Sequence, residues 1–343
     1  MKEQSIFDHI SVDGFSSTPK YMQLANCIEE AVISGKIHHN GILPSLHELT
    51  YHLEISKETA DKGYKYLRQL GILSTIPGKG HFVTATNVIR QRKVFLLINK
   101  LSANKKIFYD AFAEALGEHV VIDFYIYNDD FQLFKKILNG RRDGYSHYVI
   151  LPHFAEGGEK AYELIDQLPK DKLLLLDKPV AGVNGSYGSV FEDFKKDIYN
   201  ALEKLIVPLS KYDTIKLAFP KNSYFPKEIT QGFNLFCQQY AFERSIINDI
   251  HTEEIKKGEV FICLSDNELV SFIERVKKTK LKVGEDIGII SYNETPLKKY
   301  ILNGITTISA DFAQMGVQAA KMILKDDLEQ VKLECQVNLR ASL

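Results

Sequence analysis

The chain has 343 residues, which at roughly 100–200 residues per domain predicts two or three domains. Its 45% of apolar and 25% of charged residues exclude a disordered, collagen-like or disulfide-scaffold chain. The 43 basic and 44 acidic residues give a net charge of −1, so no global field indicates nucleic acid or an anionic membrane.

The four cysteines are scattered, and none forms a C-x-x-C pair. We therefore expect neither a zinc site nor a disulfide framework, but reduced thiols in a cytoplasmic protein without a metal or cofactor. The first residues carry no apolar segment typical of a signal peptide, and no apolar run is long enough to span a bilayer. The cysteines are Cys27, Cys237, Cys263 and Cys335.

The charge is unevenly distributed near the N-terminus. Residues 1–55 have a net charge of −4, whereas residues 56–92 have a net charge of +5. A short basic stretch in a neutral chain favours a surface that faces phosphate. A solvated charged helix face would look similar, so this signal alone leaves both interpretations open.

The first elements are predicted to be helices. An apolar stripe of helical spacing follows Pro19 and ends before Gly35, which predicts the first helix. Ser45 and Glu48 have the spacing of a capping box, and Leu46, Leu49 and Leu53 follow on one face of a second helix. The stripe of the first helix is formed by Tyr21, Leu24, Ile28 and Val32.

Ser56 is predicted to cap a third helix directly after a tight turn. Its apolar face carries Ala60, Tyr64 and Leu67, and Glu58, Asp61, Lys62 and Lys65 fall on the opposite face. After Gly71, two short apolar runs flank Pro77-Gly78-Lys79-Gly80, which predicts a β-hairpin.

A capped helix pair followed by a hairpin is typical of a winged helix-turn-helix, in which the third helix enters the DNA major groove. Glycine at the hairpin tip lets the main chain approach the DNA backbone or the minor groove. Simple packing of a helix pair on a hairpin is the alternative interpretation. The predicted DNA-binding residues are Ser45, His47, Ser56, Lys57, Glu58, Thr59, Lys62, Lys65, Lys79, Gly80 and His81.

We expect a winged helix-turn-helix domain over residues 1–84, a polar linker over 85–92 and a second domain over 93–343. In the second domain, seven strand-like runs alternate with helical patterns, which predicts parallel sheets in two α/β lobes, with a crossing near 209–214 and a return after Tyr292. The runs are 94–98, 120–127, 147–151, 172–177, 214–220, 260–265 and 287–292.

Ligand sites in such sheets lie at the carboxyl ends of the strands. The polar and aromatic residues there suit a neutral polyol, and their carboxylates argue against a phosphorylated ligand. The alternative is that these residues cap helices. The predicted ligand-binding residues are Ser102, Phe108, His153, Asp177, Lys178, Asp193, Lys221, Lys227, Asp266, Tyr292, Asn293 and Glu294.

Two resemblances follow from motifs in this order. Residues 18–84 resemble the DNA-binding domain of the GntR family, and residues 93–343 resemble the LacI-type, periplasmic-binding-protein-like effector domain. The first rests on segments 41–49 (GILPSLHEL), 53–59 (LEISKET), 70–73 (LGIL) and 77–83 (PGKGHFV). The second rests on Asp143-Gly144, 176–178 (LDK), 231–233 (QGF), Ser265-Asp266, 285–293 (EDIGIISYN), 305–308 (ITTI) and Met315-Gly316.

The combination resembles the arabinose-repressor type of GntR regulator. This resemblance implies a dimeric, cytoplasmic transcription factor that binds a pseudo-palindromic operator and responds to a free monosaccharide or a related sugar. The sequence departs from the family at His47, where arginine is usual, and at Ile229, where an arginine commonly precedes the Gly-Phe pair.

Three alternatives were weighed. An enzyme is disfavoured because the chain has no G-x-G-x-x-G after its first α/β strand, no P-loop, no H-E-x-x-H and no G-x-S-x-G. A transported sugar-binding protein would leave residues 1–84 unexplained. A GntR-type regulator with an effector other than a sugar remains open, because such pockets vary while the fold stays constant.

Overall fold

The computed structural model describes residues 6–12, 19–85, 92–140, 144–221 and 223–343. The chain divides into two compact units, Met1–Gln91 and Arg92–Leu343. The division lies within the segment expected to be a linker. Of that linker, residues 86–91 are outside the described residues, as is Asp143 of the Asp143-Gly144 motif.

In its described residues, the first unit contains three α-helices and a small antiparallel sheet with the strand order β1-β3-β2. It also contains a short 3-10 helix at Ile6–His9. The elements are α1 (Lys20–Ile33), β1 (Ile42–Leu43), α2 (Leu46–Leu53), α3 (Lys57–Gln69), β2 (Leu73–Ile76) and β3 (Gly80–Val83).

Both predicted helix caps are formed. The Ser45 hydroxyl accepts from the Glu48 N–H at 3.2 Å, and the Glu48 carboxylate accepts from the Ser45 N–H at 2.7 Å. The Ser56 hydroxyl accepts from the Thr59 N–H at 3.1 Å. Because Glu54 has a left-handed backbone with φ of 50°, α2 stops there and α3 can begin only three residues later.

The core of this unit lies between α1, α3 and the hairpin. Leu24, Tyr64 and Leu67 are fully buried in it. The Tyr64 hydroxyl donates to the Pro44 carbonyl at 2.6 Å, so the largest core side chain also fixes the segment before α2. A Cβ at Gly63 would lie 2.9 Å from the Leu24 side chain, which shows how closely α1 and α3 approach.

The second unit is built on two six-stranded sheets, each belonging to one lobe. The first part of lobe 1 runs from the linker to residue 191. Its elements are β4 (Arg92–Ile98), α4 (Ala103–Leu116), β5 (Val120–Ile126), α5 (Phe131–Asn139), β6 (His147–Ile150), α6 (Ala161–Ile165), β7 (Leu173–Asp177) and β8 (Gly188–Phe191).

Lobe 2 follows, and the chain then returns once to lobe 1 before it ends in lobe 2. Helix α11 and strand β14 belong to lobe 1. The elements are α7 (Phe194–Lys204), α8 (Ile206–Leu209), β9 (Thr214–Ala218), α9 (Glu228–Gln239), β10 (Glu243–Ile247), β11 (Glu259–Cys263), α10 (Asp266–Val276), β12 (Ile287–Tyr292), β13 (Thr306–Ser309), α11 (Phe312–Lys325), β14 (Gln330–Lys332) and β15 (Gln336–Asn338).

The strand orders are β14-β8-β7-β6-β4-β5 in lobe 1 and β10-β9-β11-β12-β13-β15 in lobe 2. Neighbouring strands are parallel, except that β15 runs antiparallel to β13. Apolar clusters cover both faces of each sheet, as parallel sheets require. The predicted α/β fold of two parallel-sheet lobes is thus confirmed, and each of the seven predicted strand runs is a strand of these sheets.

The predicted position of the first crossing between the lobes is wrong. The chain crosses between β8 and α7, well before residues 209–214, because α7 buries Ile198 and Leu202 against the lobe 2 sheet. The sequence analysis did not identify β8, a short strand that begins at Gly188. Because β8 was not predicted, the expected crossing at 209–214 placed residues 194–204 (α7) in lobe 1, whereas α7 packs in lobe 2.

Close packing of α4 on α11 holds lobe 1 together beside its sheet. A Cβ at Gly316 of α11 would lie 2.5 Å from the Phe108 carbonyl oxygen and 2.9 Å from the Phe112 nitrogen of α4. These are main-chain atoms inside a helix, so they cannot move aside as a side chain could. Glycine is therefore required for the observed distance between the two helices.

We expect Gly316→Ala to destabilise the protein, although alanine favours a helix by about 1 kcal/mol over glycine. Overpacking of this kind costs about 1–3 kcal/mol net. The thermal midpoint should fall by several degrees, since roughly 2–4 °C corresponds to 1 kcal/mol in a unit of this size. Gln314→Ala, on the exposed face of the same helix, serves as the control. An unchanged midpoint for Gly316→Ala would contradict the close approach of α4 and α11.

Candidate functional site

A pocket of about 430 Å³ lies where the carboxyl ends of strands from both lobes converge. Lobe 1 contributes the segments after β4, β6, β7 and β8, and lobe 2 contributes those after β9 and β12. The lining residues are Asn99, Lys100, Ser102, Asn104, Lys105, His153, Asp177, Glu192, Phe194, Tyr224, Phe225, Pro226, Tyr292, Asn293 and Phe312.

A buried ion pair forms the base of this pocket. The Lys105 ammonium of α4 lies 2.6 Å from Asp177 Oδ2 at the end of β7, and both side chains are over nine-tenths buried. His153 Nε2 lies 3.2 Å from the same oxygen. Asp177 has a left-handed backbone with φ of 67°, a conformation that an aspartate adopts more readily than most residues. Three elements of lobe 1 therefore meet at one carboxylate.

The charges of this cluster follow from its surroundings. Burial alone would raise the pKa of Asp177, but the Lys105 ammonium and the His153 hydrogen bond outweigh it and hold that pKa well below its usual range. Burial lowers the pKa of His153, and the Asp177 carboxylate opposes this only partly. At neutral pH the cluster thus consists of a lysine cation, an aspartate anion and an uncharged imidazole.

Glu192 is the second carboxyl group of the pocket, and its surroundings favour the protonated form. Burial, followed by the nearby negative charge of Asp177, raises its pKa well above the usual value, and Lys105 opposes this shift. A protonated carboxyl group can donate a hydrogen bond as well as accept one. Glu192 therefore differs chemically from Asp177, although both are buried acids.

Five buried polar atoms of the lining have no hydrogen-bond partner among the residues that the structure describes. They include both acceptors and groups that can donate, which is the combination that matches hydroxyl groups of a ligand. Buried polar groups are normally paired, because an unpaired one costs about 1–3 kcal/mol. The atoms are Asn99 Oδ1, His153 Nδ1, Asp177 Oδ1, Glu192 Oε2 and the Tyr292 hydroxyl oxygen.

Aromatic side chains form the remaining walls. Phe194 and Phe312 begin α7 and α11, and Tyr224 and Phe225 follow β9. The Lys100 ammonium lies 3.6 Å from the centroid of the Tyr224 ring, which is a cation–π contact across the pocket. Aromatic faces can cover the C–H surface of a ligand whose hydroxyl groups face the polar base.

Five of the predicted ligand-binding residues line the pocket. They are Ser102, His153, Asp177, Tyr292 and Asn293. Four of them lie at or directly after the ends of predicted strands. The fifth, Ser102, caps α4 a few residues beyond β4.

Other predicted ligand-binding residues have structural partners away from the pocket. Phe108 is buried in the core between α4 and the sheet. Asp193 caps α7 by accepting from the Lys196 N–H at 3.2 Å. Asp266 pairs with Lys298 at 2.9 Å, and Glu294 pairs with Arg340 at 2.8 Å. Capping, the alternative that the sequence left open, thus applies to Asp193.

The last three predicted residues also lie outside the lining. Lys221 and Lys227 are exposed on the segment after β9, and Lys178 is half-buried beyond the end of β7. Neighbours of the predicted residues, such as Asp177 and Tyr224, line the pocket instead.

Sequence reasoning missed two thirds of the lining. Lys100, Asn104, Lys105 and Tyr224 follow the predicted strand runs 94–98 and 214–220, so their position was a usable signal. Glu192 and Phe194 follow β8, which was not predicted, and no sequence pattern indicated them. The other missed residues are Asn99, Phe225, Pro226 and Phe312.

The predicted DNA-binding residues of the first unit fall into four groups. The Ser45 and Ser56 hydroxyls are occupied by helix caps, and Thr59 takes part in the second cap. Lys62 pairs with Glu58 at 3.0 Å, and Lys65 pairs with Asp61 at 2.8 Å, all on the solvent side of α3.

His47, Lys57, Lys79 and Gly80 are exposed. Lys57 at the start of α3 and Lys79 at the hairpin tip have no acid within 4.0 Å among the residues that the structure describes, so their ammonium groups are available to a ligand.

His81 is held by its neighbours rather than directed outward. Its Nδ1 lies 2.8 Å from the Thr75 hydroxyl, to which the Arg68 guanidinium also donates. Its ring packs edge-on against Tyr64 with the centroids 4.6 Å apart. Burial lowers the pKa of His81, and Arg68 adds to this shift. At neutral pH His81 therefore contributes little positive charge to this surface.

Comparisons with known proteins agree with this architecture. Residues 211–342 match the family of periplasmic binding protein-like domains. A LacI family transcriptional regulator from Lactobacillus casei, solved with bound sucrose, superposes with a TM-score of 0.60 and 16% identity, over 73% of this chain and 99% of that one. The second unit thus has the fold of LacI-family regulators.

Three sequence relatives are transcriptional repressors. The HTH-type transcriptional repressor YtrA of Bacillus subtilis is 30% identical over 104 residues, which are 30% of this chain and 78% of that protein. The arabinose metabolism transcriptional repressor of Geobacillus stearothermophilus is 20% identical over 90% of this chain and 91% of its own length. The ribose operon repressor of Lactococcus lactis is 30% identical over 35% of this chain, which spans only 38% of that relative.

The chain therefore belongs to the HTH-type transcriptional repressors. The prediction that it is a transcription regulator and not an enzyme is confirmed by these relatives. The predicted periplasmic-binding-protein-like fold of the second unit is confirmed as well. Within the described ranges, no helix has the length and apolar character to cross a membrane, and no cluster of candidate metal ligands is present.

The raised pKa of Glu192 gives a prediction for stability. A group whose pKa rises on folding stabilises the protein fully below its unfolded value, which is 4.5 for a glutamate, and loses this contribution as the pH rises. Glu192→Gln mimics the uncharged form at every pH. The free energy of unfolding of this variant should therefore increase relative to the unmodified protein above pH 4.5, by up to about 1.4 kcal/mol per pH unit.

Chemical denaturation between about pH 4.5 and 7.5 measures this difference. Glu118→Gln, at an exposed position of the same lobe, is the matched control and should give a difference that does not change with pH. A constant difference for Glu192→Gln would mean that Glu192 is ionised in the folded protein.

Proposed function

We propose that this protein is a ligand-responsive repressor of carbohydrate utilisation genes, in which a sugar bound between the lobes of the second unit changes the affinity of the first unit for operator DNA. The five unpartnered polar atoms of the pocket carry this proposal, because a polyol offers both donors and acceptors to them. The relatives named for arabinose and ribose, and the sucrose-bound structure, support a carbohydrate.

We further propose that the first unit is a winged helix of the GntR type. Its helix-turn-helix is followed by the β2–β3 hairpin, which gives the order of elements of a winged helix. The 104 residues matched to YtrA make up 78% of that repressor, so YtrA is much shorter than the Arg92–Leu343 unit alone. A relative of this size supports an N-terminal module that occurs without the two-lobed unit.

In this proposal α3 enters the major groove, with Lys57 beside phosphate and the hairpin tip at the DNA backbone. On binding DNA, Lys62 and Lys65 would leave their ion pairs with Glu58 and Asp61 and pair with phosphate groups instead. This exchange is inexpensive, because exposed ion pairs contribute only about 0–1 kcal/mol. We propose a cytoplasmic homodimer on a pseudo-palindromic operator, in which the half-site spacing matches the dimer.

Coupling between sugar and DNA requires only modest energy. A change of 5- to 150-fold in DNA affinity corresponds to about 1–3 kcal/mol of differential binding to two states of the two-lobed unit. A regulator that responds to a small molecule other than a sugar is the second candidate, since a pocket of this fold does not define its ligand by itself.

The wing contact predicts a change in salt dependence. Lys79→Ala should weaken binding to a random-sequence duplex and lower the slope of log K against log salt by about 1, because one phosphate contact is lost. Titrations between about 50 and 200 mM salt measure this slope. Lys106→Ala in α4 removes an exposed lysine of the other unit and should leave the slope unchanged. If Lys79→Ala also leaves the slope unchanged, the hairpin tip does not contact phosphate.

The sugar site predicts stabilisation by ligand. A sugar at 100 times its dissociation constant should raise the free energy of unfolding by about 2.7 kcal/mol, which is seen as a higher thermal midpoint. Arabinose, ribose, glucose and sucrose, with their phosphate esters and sugar acids, form the panel. If no carbohydrate of this panel shifts the midpoint or changes DNA affinity, a non-sugar effector becomes the better proposal.

Two buried tyrosines provide a matched test of the site. Tyr292 and Tyr212 each have a hydroxyl oxygen without a partner in the described part of the chain, but only Tyr292 lines the pocket. Tyr292→Phe should weaken binding of a stabilising sugar about 3- to 10-fold, the effect of one neutral hydrogen bond. Tyr212→Phe should not change it. Equal effects of the two variants would place the ligand elsewhere.

A further inference from the structure

Hydrogen-bond acceptors predominate among the five unpartnered atoms of the pocket. Three of these atoms belong to Asn99, His153 and Asp177, and the other two belong to Glu192 and Tyr292. A carboxyl group and a phenol can donate or accept, depending on protonation and rotation. The first three side chains lack this freedom, because a charged partner holds each of them.

Asp129 fixes the orientation of the Asn99 amide. Asn99 Nδ2 donates to Asp129 Oδ1 at 2.7 Å, and a carboxylate can only accept a hydrogen bond. If the amide turned over, its oxygen would face another oxygen. The main chain holds Asp129 in place, because its N–H donates to the Asn99 carbonyl at 3.2 Å and its carbonyl accepts from the Ala155 N–H at 3.2 Å. Asn99 Oδ1 is therefore left as a fixed acceptor of the lining.

The Lys105–Asp177 ion pair fixes the other two acceptors. Asp177 Oδ2 accepts from the Lys105 ammonium at 2.6 Å and lies 3.2 Å from His153 Nε2. An imidazole is mostly uncharged at neutral pH even in water, and here burial lowers its pKa further. Because Asp177 Oδ2 only accepts, the single ring proton lies on Nε2, and Nδ1 keeps a lone pair. Asp177 Oδ1, on the same carboxylate, is likewise an acceptor only.

A molecule that fills the pocket must supply donors to these three atoms. Buried acceptors that stay unpaired weaken binding, since they lose water and gain nothing in return. A sugar hydroxyl group carries one hydrogen to donate and two lone pairs. It can therefore satisfy a fixed acceptor, whereas an ether oxygen, a fluorine or a missing hydroxyl group at the same place cannot.

We propose that the pocket recognises at least three hydroxyl groups of its sugar as hydrogen-bond donors, and that Asp129 positions the Asn99 amide for one of them. This inference rests on the proposed function and adds the pattern of donors that the effector must present. Asp129 is a positioning residue, because it lies outside the lining and acts through Asn99.

Fluorinated sugars separate donors from acceptors. Fluorine is similar in size to a hydroxyl group and accepts weak hydrogen bonds, but it has no hydrogen to donate. Arabinose, ribose, glucose and sucrose are first titrated into the full chain by calorimetry at neutral pH. For each sugar that binds, its deoxy and deoxyfluoro derivatives are then compared with it at every hydroxyl position.

At three or more positions the deoxyfluoro sugar should bind about 3-fold or more weakly than the parent sugar, the effect of a lost neutral hydrogen bond. It should bind no more tightly than the deoxy sugar, because its ability to accept is of no use there. At one of these positions, opposite Asp177, the loss should be about 10- to 100-fold, as for a hydrogen bond to a charged group.

Asp129→Asn tests the positioning of Asn99. The new amide can accept as well as donate, so Asn99 can turn its NH2 group toward the ligand. At one hydroxyl position the loss caused by fluorine should fall below about 2-fold, and the losses at the other positions should not change. A merely structural role of Asp129 would weaken the parent and fluorinated sugars alike and leave their ratio unchanged.

Glu268→Gln is the matched control. Asp129 and Glu268 both act electrostatically on Lys100, and Glu268 accepts from the Ser265 N–H at 2.7 Å in a capping box. Glutamine can form the same capping box. This variant thus removes a negative charge near Lys100 without changing the partner of the Asn99 amide, and every ratio should stay as in the unmodified protein. Thermal unfolding verifies that each variant is folded.

The outcomes distinguish this inference from the proposed function. Losses at fewer than three positions, or deoxyfluoro sugars that bind more tightly than the deoxy sugars, overturn the donor pattern. Ratios that Asp129→Asn leaves unchanged, or that Glu268→Gln changes equally, overturn the role of Asp129. The carbohydrate repressor stands in all of these cases. If no sugar of the panel binds, the proposed function fails and this inference fails with it.

Discussion

The buried carboxylate of Asp177 is the interaction on which the site depends. It ends β7, accepts from Lys105 of α4 and contacts His153 beyond β6, so one charge joins three elements of lobe 1. A buried charge must be paired, because removal of its partner costs about 3–5 kcal/mol. This requirement fixes α4 against the sheet and places Ser102, Asn104 and Lys105 at the pocket. Burial, followed by the same charge, raises the pKa of Glu192, so the two carboxyl groups of the lining differ chemically.

The two-lobed architecture explains why a ligand could act as a switch. Residues from both lobes line the pocket, and the chain passes between the lobes three times, after β8, β13 and β14. A bound molecule that contacts both sides stabilises one arrangement of the lobes relative to another. The Lys100–Tyr224 contact already joins the two sides across the pocket. The differential energy required for regulation is small compared with the interactions that such a pocket offers.

Helix caps were predictable from the sequence, because the residues that form each cap are close together in the chain. The Ser45–Glu48 capping box and the Ser56 cap involve residues three apart, and both are formed as expected. The parallel strands were also recognisable, since strands buried on both faces form continuous apolar runs. The short strands β8, β10, β13, β14 and β15 lack such runs or lie at edges, and the sequence analysis missed them. The error at the crossing between the lobes follows from the absence of β8.

Sequence by itself determined the class of this protein. The order of its motifs predicted a DNA-binding module followed by a two-lobed, periplasmic-binding-protein-like unit, and the strand-end rule led to five of the lining residues. Only the tertiary structure decided which charged side chains line the pocket. Asp193, Asp266 and Glu294 lie at or near strand ends, as Asp177 does. However, Asp193 caps a helix, Asp266 pairs with a lysine and Glu294 pairs with an arginine, and both of these cations are distant in sequence. Because electrostatic pairing depends on distances in space, the ion pairs around the pocket could not be obtained from the order of residues.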